Sequence, residues 1–513
     1  MPAHAIGRMS AGRWPFRRHE PAAAIVSVGM GDEFETVIGL ECHVELATAS
    51  KMFCSCPNQF GAPPNTNVCP ICLGHPGTLP VPNEKAIEYT AKIGLALDCR
   101  IVAHSLFHRK NYFYPDMPKN FQISQYDVPL CVAGHLDVLV DGEARRIGIT
   151  RVHLEEDTGR TVHAGATGRI AGADYALEDY NRAGVPLVEV VSEPDMRTPE
   201  EARAYFTELR AILEALGVSD VRMEEGSLRC DANISVRPIG HTDLGTKIEI
   251  KNLNSIRSIY RALAFEQERQ IAALRAGQPL AQETRHWDEN RNVTTPGRSK
   301  EYASDYRYFP EPDLTPIEPD PAWIEKLRSE LPELPSARRG RYQDEYRLEP
   351  HQAAVIGGSR SWAEFLEKAV AMGAEPRAAA NWMTGDLAAL LREHDQSLEG
   401  SKVTPQHIAD LVRLFAGETI SSAGAKTALA EAFQTGAPID EIVESKGLQQ
   451  VSDAGALEAA IDEVIAENPG PVEQFRGGKE GALNALVGHV MKKTKGSANP
   501  KVAADLLRQR LTG

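Results

Sequence analysis

The first regular pattern in the chain is a strict alternation of apolar and polar residues between Val37 and Leu46. The apolar side of this stretch holds Leu40, Cys42, Val44 and Leu46. The polar side holds Glu41, His43 and Glu45. Because successive side chains point to opposite faces of a strand, the alternation predicts a β-strand with one buried and one wet face. A wet face of carboxylate, imidazole and carboxylate can ligate a metal or move a proton, and a solvated surface strand is the alternative.

Two later stretches repeat this arrangement. The polar side of residues 228–237 holds Arg229, Asp231, Asn233, Ser235 and Arg237, and that of 246–252 holds Lys247, Glu249 and Lys251. A further predicted strand, 185–191, carries the single carboxylate of Glu189 in an apolar run, where an unpaired acid is costly. Acids interleaved with cations on wet strand faces are typical of a site where oxygen ligands hold Mg²⁺ and cations hold phosphate.

The turn Asp141-Gly142 joins two more predicted strands within residues 135–157. The second strand ends in His153-Leu-Glu-Glu-Asp157, and three successive acids repel one another unless a cation or solvent separates them. The alternation leaves open whether Glu155 or Glu156 faces inward. A solvated loop is the alternative interpretation of this stretch.

The segment 108–116 sets Arg109 and Lys110 beside three aromatic residues, Tyr112 among them. Such a loop can hold phosphate with its cations and stack a ring on an aromatic side chain. A surface turn with a packed aromatic residue explains the same residues equally well.

Four of the eight cysteines form two short pairs, Cys54 with Cys56 and, after twelve residues, Cys69 with Cys72. Four thiolates at this spacing suit a tetrahedral zinc ion, and a polar loop with little core of its own gains stability from such a metal. The set leaves no open coordination position, so the predicted zinc site is structural. Reduced cysteines without metal are the alternative, and the scattered remaining cysteines fit a reducing compartment.

The other patterns predict an α+β protein that changes character near residue 320. Predicted helices begin after Asn83, at Thr198-Pro199 and near residue 255. The Gly/Ala-rich stretch 165–173 predicts a mobile loop, and residues 283–320 predict irregular structure that closes the first domain. After the prolines near 320 the pattern is helical to the end, with a cap at Thr404-Pro405 and stops at Gly436 and Gly447.

Composition and charge narrow the function classes. The chain has 513 residues, of which 42% are hydrophobic and 25% charged, as in soluble globular proteins of several domains. No apolar run approaches membrane-spanning length, so no membrane association is expected. The net charge of −15 argues against RNA binding over the whole surface, but residues 476–513 carry eight cations and two acids. This segment suits a local RNA contact, and a solvated helix face is the alternative.

Several familiar motifs are absent from the sequence. It contains no phosphate-loop, dinucleotide-binding or nucleophile-elbow motif, so any use of ATP lies outside those folds. Residues 1–31 contain four arginines and one acid and are too polar for a secretory signal. A disordered or mis-started extension, with Met30 as a second start, is the favoured interpretation, and a transit-like peptide is the alternative.

With these motifs identified, the chain resembles the B subunits of bacterial tRNA-dependent amidotransferases. The matching stretches are Ile38–Leu46, His108–Asp116, Leu154–Asp157, Met223–Asn233, Lys251–Ser255 and Asp305–Pro312. The resemblance implies a largely antiparallel, cradle-shaped catalytic domain with a zinc knuckle at 34–320. It further implies a helical domain at 321–404 and a tRNA-contacting, YqeY-like helical tail at 405–513, while residues 1–33 lie outside the family pattern.

The resemblance also implies a reaction and partners. An amidase A subunit would release ammonia from glutamine in a heterotrimer with a small C subunit. The B subunit would phosphorylate the side-chain carboxylate of Glu on tRNA(Gln), or of Asp on tRNA(Asn), with ATP, and then amidate it. Such a protein is expected in the bacterial cytoplasm. Because a carboxylate accepts ammonia poorly, catalysis rests on activation, positioning and charge neutralisation by Mg²⁺ and cations.

Residue roles follow from the resemblance as expectations. The Mg²⁺ ligands are expected to be Glu41, His43, Glu156, Glu189 and Glu249, with Glu156 favoured over Glu155. Lys110, Tyr112, Asp231, Asn233 and Lys251 are expected to contact the nucleotide or the aminoacyl end, and Lys110, Glu156 and Glu249 to be catalytic. A hypothesis from another class is a noncatalytic, zinc-stabilised RNA-binding protein, against which the acidic strand faces argue because acids repel RNA.

Overall fold

The structure is a computed structural model that describes residues 34–165, 173–297, 306–450, 454–494 and 498–512. The predicted extension, 1–33, lies outside these residues, as does nearly all of the loop predicted at 165–173. The chain divides into two compact units. The first draws its described residues from 1–41, 194–202 and 230–304, and the second from 42–193, 203–229 and 305–513.

The strands of the described residues lie between residues 34 and 310. They are β1 (Phe34–Glu45), β2 (Arg100–Ile101), β3 (His108–Asn111), β4 (Phe121–Ser124), β5 (Cys131–Val140), β6 (Glu143–Glu156), β7 (Arg160–Gly165), β8 (Ala173–Asp179), β9 (Pro186–Ser192), β10 (Leu228–Pro238), β11 (Ile248–Lys251), β12 (Glu283–Asp288), β13 (Val293–Pro296) and β14 (Phe309–Pro310).

Three helices fall among the strands, and the remaining helices described follow residue 320. They are α1 (Glu84–Ala96), α2 (Pro199–Leu216), α3 (Ile256–Arg275), α4 (Pro321–Ser329), α5 (Pro335–Asp344), α6 (Pro350–Gly357), α7 (Arg360–Ala371), α8 (Pro376–Trp382), α9 (Ala388–Glu393), α10 (Pro405–Ala416), α11 (Ser422–Thr435), α12 (Ile439–Ser445), α13 (Ala454–Glu467), α14 (Pro469–Arg476), α15 (Gly481–Lys493) and α16 (Pro500–Thr512). A π-helical turn, Met383–Leu387, joins α8 to α9.

The first unit is built on the strand order β13-β12-β11-β10, which continues to the beginning of β1. Strands β10 and β11 are antiparallel and pair Asn233 with Glu249, whereas β11 and β12 are parallel. The alternation predicted for these strands is observed: Ile248 and Ile250 are fully buried, while Glu249 and Lys251 are half-buried on the other face. The polar face of β10 and β11 is therefore the face that holds candidate site residues.

The second unit holds the end of β1 and the strand order β9-β6-β4-β3-β14, with β5 paired to β6 and β2 to β5. The hairpin β5–β6 turns at Asp141 and Gly142, which both have positive φ, as the predicted two-residue turn requires. Strands β6 and β9 pair His153 directly with Glu189. This register sets an imidazole opposite a carboxylate on one face of the sheet.

The helical part of the second unit has two apolar cores. One extends from Tyr342 to Val443 and the other from Leu457 to Leu511. The first core runs through residue 404, where the sequence suggested a boundary between the helical domain and the tail. The division at 404 stays a prediction, as does the division at 320. No helix among the described residues is long and apolar enough to cross a membrane.

Most local signals are confirmed by the structure, as is the α+β class. The Asn83 side chain caps α1, Ser255 caps α3, Thr404 caps α10, and the left-handed Gly436 ends α11. The prediction of irregular structure at 283–320 is wrong for its first part, which forms β12 and β13. The buried side of β12 consists of Arg285 and Trp287, so a buried arginine concealed the alternation.

Candidate functional site

Three side chains from three strands converge on one face of the sheet in the second unit. They are His43 of β1, Glu155 of β6 and Glu189 of β9, and one ligand atom from each lies within 4.8 Å of the others. His43 Nε2 lies 3.8 Å from Glu189 Oε1. Two carboxylates and an imidazole at these distances form a candidate metal centre for a hard divalent cation.

His153 lies on the same strand face as Glu155 and is almost completely buried. Its Nε2 lies 3.1 Å from Glu155 Oε1 and 3.0 Å from Glu189 Oε2. Burial lowers the pKa of His153, but its hydrogen bonds to the two carboxylates raise that pKa to about 9. Burial raises the pKa of Glu155 and that of Glu189. The hydrogen bonds and charge of His153 outweigh burial, and both pKa values lie below the usual range. Both acids are therefore ionised and available as ligands at neutral pH.

Strands β3 and β4 complete this face. The side chains of Ser124 and Gln122 donate hydrogen bonds to the Glu155 carboxylate at 2.8 and 3.2 Å. Lys110 pairs with Gln122 across β3 and β4, so it lies on the same face, and its positive charge helps to lower the pKa of Glu155. The face thus combines two carboxylates, an imidazole and a lysine.

Glu156 points to the opposite face of β6 from Glu155. Its carboxylate pairs with Lys119 and accepts a 2.9 Å hydrogen bond from the Ile123 backbone N–H. It lines a cavity of about 260 Å³ together with Cys72, Lys119 and Arg109. The structure therefore brings Glu155, and not Glu156, to His43 and Glu189. The expectation that Glu156 ligates Mg²⁺ stays a prediction.

In the first unit, Lys251 links two acids of the polar strand face. Its Nζ lies 2.5 Å from Asp231 Oδ2 and 3.1 Å from Glu249 Oε1. Burial lowers the pKa of Lys251, but the two carboxylates outweigh burial and raise it above its usual value. Glu249 also accepts a 2.7 Å hydrogen bond from Thr284. This group can neutralise phosphate charge or hold a cation with its acids.

Glu41 and Asn233 form a second contact in the first unit. The Asn233 side-chain amide donates a 2.9 Å hydrogen bond to Glu41 Oε1. The Asn233 Oδ1 atom is buried and has no hydrogen-bond partner among the described residues. A buried acceptor without a partner is one that a bound ligand or water can satisfy.

Tyrosines surround the predicted phosphate loop. Lys110 Nζ lies 5.0 Å from the Tyr306 ring centroid and 5.9 Å from that of Tyr112. Tyr306 also contacts Tyr308, which stacks on Tyr126 with ring centroids 4.0 Å apart. Burial, with nearby acids, raises the pKa of Tyr112, so its hydroxyl stays protonated. The rings of Tyr112 and Tyr306 attract the Lys110 ammonium and limit the directions in which its side chain can point.

The four predicted cysteines converge. One sulfur from each of Cys54, Cys56, Cys69 and Cys72 lies within 4.8 Å of the others. The Cys69 backbone N–H donates to Cys72 Sγ at 3.1 Å. A tetrahedral zinc–thiolate site has sulfurs about 3.8 Å apart, so small shifts would close this cluster around a metal. The donor set fits a structural metal with no open position.

Several residues of these sites were not identified from the sequence. His153 had a signal, because it lies two residues before Glu155 and so shares its strand face. Lys119, Gln122 and Ser124 had none, since they come from short segments without periodicity. Glu45, which received no role among the expected site residues, faces Asp157, and burial together with that acid raises the pKa of Glu45 to about 8. Asp157 also pairs with Arg229.

Comparison with known sequences identifies the family. Residues 36–325 match the family described as the GatB/GatE catalytic domain, and 364–511 match the GatB domain. The B subunit of aspartyl/glutamyl-tRNA(Asn/Gln) amidotransferase from Moorella thermoacetica is 54% identical over 479 residues, covering 93% of this chain and 100% of the relative. The protein of the same name from Carboxydothermus hydrogenoformans is 51% identical over 479 residues, covering 93% and 99%. The Thermosynechococcus vestitus protein is 54% identical over 483 residues, covering 93% and 96%. The chain therefore belongs to the family of aspartyl/glutamyl-tRNA(Asn/Gln) amidotransferase B subunits.

Proposed function

We propose that this amidotransferase subunit uses ATP and Mg²⁺ to activate the side-chain carboxylate of Glu on tRNA(Gln), or of Asp on tRNA(Asn), and then amidates it. The ammonia comes from glutamine through an amidase A subunit, in a heterotrimer with a small C subunit. Family membership supports the reaction class, because the relatives carry the name of the same subunit. The chain works in the bacterial cytoplasm, where charged tRNAs are found.

The observation that carries the proposal is the group His43, Glu155 and Glu189. Its ligand atoms lie within 4.8 Å of one another on a half-buried sheet face, and both acids are ionised. Each buried carboxylate loses its hydration, and His153 supplies one positive charge for the two acids, so a negative charge is left for a bound cation. A divalent cation bound there would neutralise charge on a transferred phosphoryl group.

The chain's own residues have distinct parts in this proposal. His43, Glu155 and Glu189 bind the cation, while Ser124 and Gln122 hold Glu155 in position by their hydrogen bonds. Lys110, fixed by the tyrosine rings, donates to phosphate oxygens. In the first unit Lys251 also binds phosphate, with Asp231 and Glu249 keeping its ammonium charged. The assignments of Glu41, Tyr112, Asn233, Glu156 and Glu249 to metal, nucleotide or aminoacyl end stay predictions.

The cysteine cluster has a structural part. Its four sulfurs hold a zinc ion that fastens the loop following β1, which has few apolar residues of its own. A noncatalytic RNA-binding protein, the other hypothesis from the sequence, is not favoured. The match to the family includes the region of the catalytic domain, residues 36–325, and not only the helical residues 364–511.

The test is product formation by the reconstituted heterotrimer. The complex receives Glu-tRNA(Gln) or Asp-tRNA(Asn) with ATP, Mg²⁺ and glutamine, and amidated tRNA is measured. We expect Glu189→Gln to reduce the rate about 100-fold or more, because one charged metal ligand is lost. Binding of tRNA by the variant should equal that of the wild-type complex.

Glu193→Gln is the matched control. Glu193 lies directly after β9, is exposed, and accepts a hydrogen bond from Thr150. Its replacement should leave the rate unchanged. Amidation by the Glu189→Gln complex within two-fold of wild type would refute the proposed site, and failure of the wild-type complex on both tRNAs would refute the proposed reaction.

A further inference from the structure

Lys51 is a lysine with no exposed surface. It lies between the end of β1 and the first cysteine pair, and its relative exposure is 0%. Its Nζ donates to the Tyr180 carbonyl oxygen at 3.1 Å and to Cys72 Sγ at 3.8 Å. A fully buried lysine is costly unless it meets a negative charge, because the ammonium loses its hydration.

The usual partner of such a lysine is missing. Among the residues that the structure describes, no carboxylate oxygen lies within 4.0 Å of Lys51 Nζ; its polar contacts are one carbonyl and one sulfur. A neutral carbonyl satisfies one N–H of the ammonium but does not compensate its charge. Glu156, whose carboxylate also lies near Gly184, is paired with Lys119. The atom that contacts Lys51 Nζ and can carry a negative charge is therefore Cys72 Sγ.

A metal-loaded cluster has such a charge. Four thiolates around a divalent metal carry a net charge of −2. The Cys69 N–H that donates to Cys72 Sγ shows that this sulfur is also oriented as an acceptor. Both donors to Cys72 Sγ, the Lys51 ammonium and the Cys69 amide, thus direct positive charge at a sulfur that the metal would bind.

We infer that Lys51 is the built-in counter-charge of the metal-loaded knuckle. It reduces the net charge of the tetrathiolate from −2 to −1, and so strengthens metal retention. Its main chain fixes it there, because the Lys51 N–H donates to the Cys56 carbonyl at 3.0 Å. This inference rests on the zinc ion proposed above for the cysteine cluster and is independent of the proposed site for Mg²⁺ and ATP.

Without the metal, Lys51 no longer faces a metal–tetrathiolate group. It is still fully buried, and its polar contacts are one carbonyl oxygen and one sulfur. Gly184 lies beside both side chains: a Cβ added there would be 3.6 Å from Cys72 Cβ and from Lys51 Cδ, and 3.8 Å from Glu156 Oε2. The lysine links metal occupancy to stability in a way that an apolar residue would not.

The experiment compares Lys51→Met with wild type in the assembled heterotrimer. Zinc is loaded, and its affinity is measured by competition with a chromogenic chelator. We expect the variant to bind zinc about 10–100-fold more weakly, the usual effect of removing a group that supports metal ligands. Thermal unfolding is then followed with zinc and after its removal, and zinc should raise the midpoint less in the variant than in wild type.

Two further variants separate charge from packing. Lys51→Gln keeps a donor for the Tyr180 carbonyl but removes the charge, and should weaken zinc binding as Lys51→Met does; it also serves if the methionine variant fails to fold. Lys85→Met, at an exposed lysine paired with Glu88 at 2.8 Å, is the control and should bind zinc as wild type does.

Three results would overturn the inference. One is equal zinc affinity in wild type and both Lys51 variants. Another is an equal loss of thermal stability with and without zinc, which marks a packing role alone. The third is a purified wild-type complex that neither contains nor takes up metal. None of these results depends on whether the complex amidates tRNA, so they are distinguishable from failure of the proposed function.

Discussion

Glu155 and Glu156 are adjacent in β6, yet their carboxylates belong to opposite faces of the sheet. Glu155 joins His43 and Glu189, whereas Glu156 pairs with Lys119 beside the cysteine knuckle. The pair is a natural test of which acid supports the metal. Because the two residues are neighbours in the same strand, the same substitution at each position makes a matched pair of variants.

We predict that Glu155→Gln raises the Mg²⁺ concentration for half-maximal amidation by about 10–100-fold, because a charged ligand becomes neutral. Glu156→Gln should leave that concentration unchanged, since Glu156 faces Lys119. A Mg²⁺ titration of product formation at saturating ATP checks this. The opposite outcome, a shift only in Glu156→Gln, would support the assignment that the resemblance favoured.

Lys251 gives a second prediction. Replacing it with methionine leaves Asp231 and Glu249 close together without their shared cation, and removes a proposed phosphate contact. We expect the KM for ATP to rise about ten-fold or more, as for loss of a charge-assisted hydrogen bond. Steady-state kinetics with ATP varied measure this. Lys247→Met, at the exposed position directly before β11, should behave as wild type.

The raised pKa of Glu45 predicts a pH dependence of stability. Burial and Asp157 raise this pKa from 4.5 to about 8, so between these values the folded protein holds a proton that the unfolded chain has released. The contribution of Glu45 to the free energy of unfolding is therefore fully present below pH 4.5 and is lost as the pH rises toward 8. Glu45→Gln has no proton to lose, and its unfolding free energy should fall less across this range.

Urea unfolding of the purified chain at several pH values between 5 and 9 measures this difference. Glu193→Gln, at an exposed acid, is the control and should follow the wild-type pH profile. Parallel profiles for wild type and Glu45→Gln would contradict the assignment of the proton to Glu45.

We predict that the last helices of the chain, residues 451–513, contribute to tRNA binding. Removing residues 451–513 deletes the second helical core and leaves the core from Tyr342 to Val443 intact. Four exposed cations of the deleted part, Arg476, Lys479, Lys492 and Lys501, have no acid within 4.0 Å among the described residues. We expect tRNA affinity to fall, and the slope of log affinity against log salt to decrease by about 0.7–0.9 for each phosphate that the truncated protein no longer neutralises.

Filter binding of tRNA over a salt series checks the truncation. Lys493→Met is a useful companion, because Lys493 pairs with Glu463 and Glu467 and its replacement should change the slope little. Unchanged affinity and slope in the truncated protein would show that this part of the chain does not contact tRNA.

Strands with strict alternation could be predicted from the sequence, but the contacts between side chains of different strands could not. The pattern identified β1, β10 and β11 because each has one fully apolar side. The choice between Glu155 and Glu156 depends on the strand that pairs with β6, and only the register with β9 sets His153 opposite Glu189. Strand β12 was missed because Arg285 occupies its buried side, where Glu266 lies 3.5 Å away. Long-range pairing decided both cases.

The cysteine cluster shows the same division between local and distant signals. Its spacing predicted four converging sulfurs, since two short pairs in one loop can approach without help from the rest of the fold. Lys51 carried no such signal, because nothing in its neighbourhood marks it as buried. Its contact with Tyr180, 129 residues away, arises only when the chain has folded.

The division of the chain into interleaved units has a consequence for its synthesis. The first unit needs the start of β1, residues 194–202 and residues 230–304, so β1 leaves the ribosome about 190 residues before β10, its neighbour in the sheet. Until then a half-apolar strand edge stays open to incorrect pairing. A fragment that ends between residues 42 and 193 should therefore aggregate when it is expressed alone and stay soluble when the complementary fragment is co-expressed. Slow translation through this region prolongs the exposure.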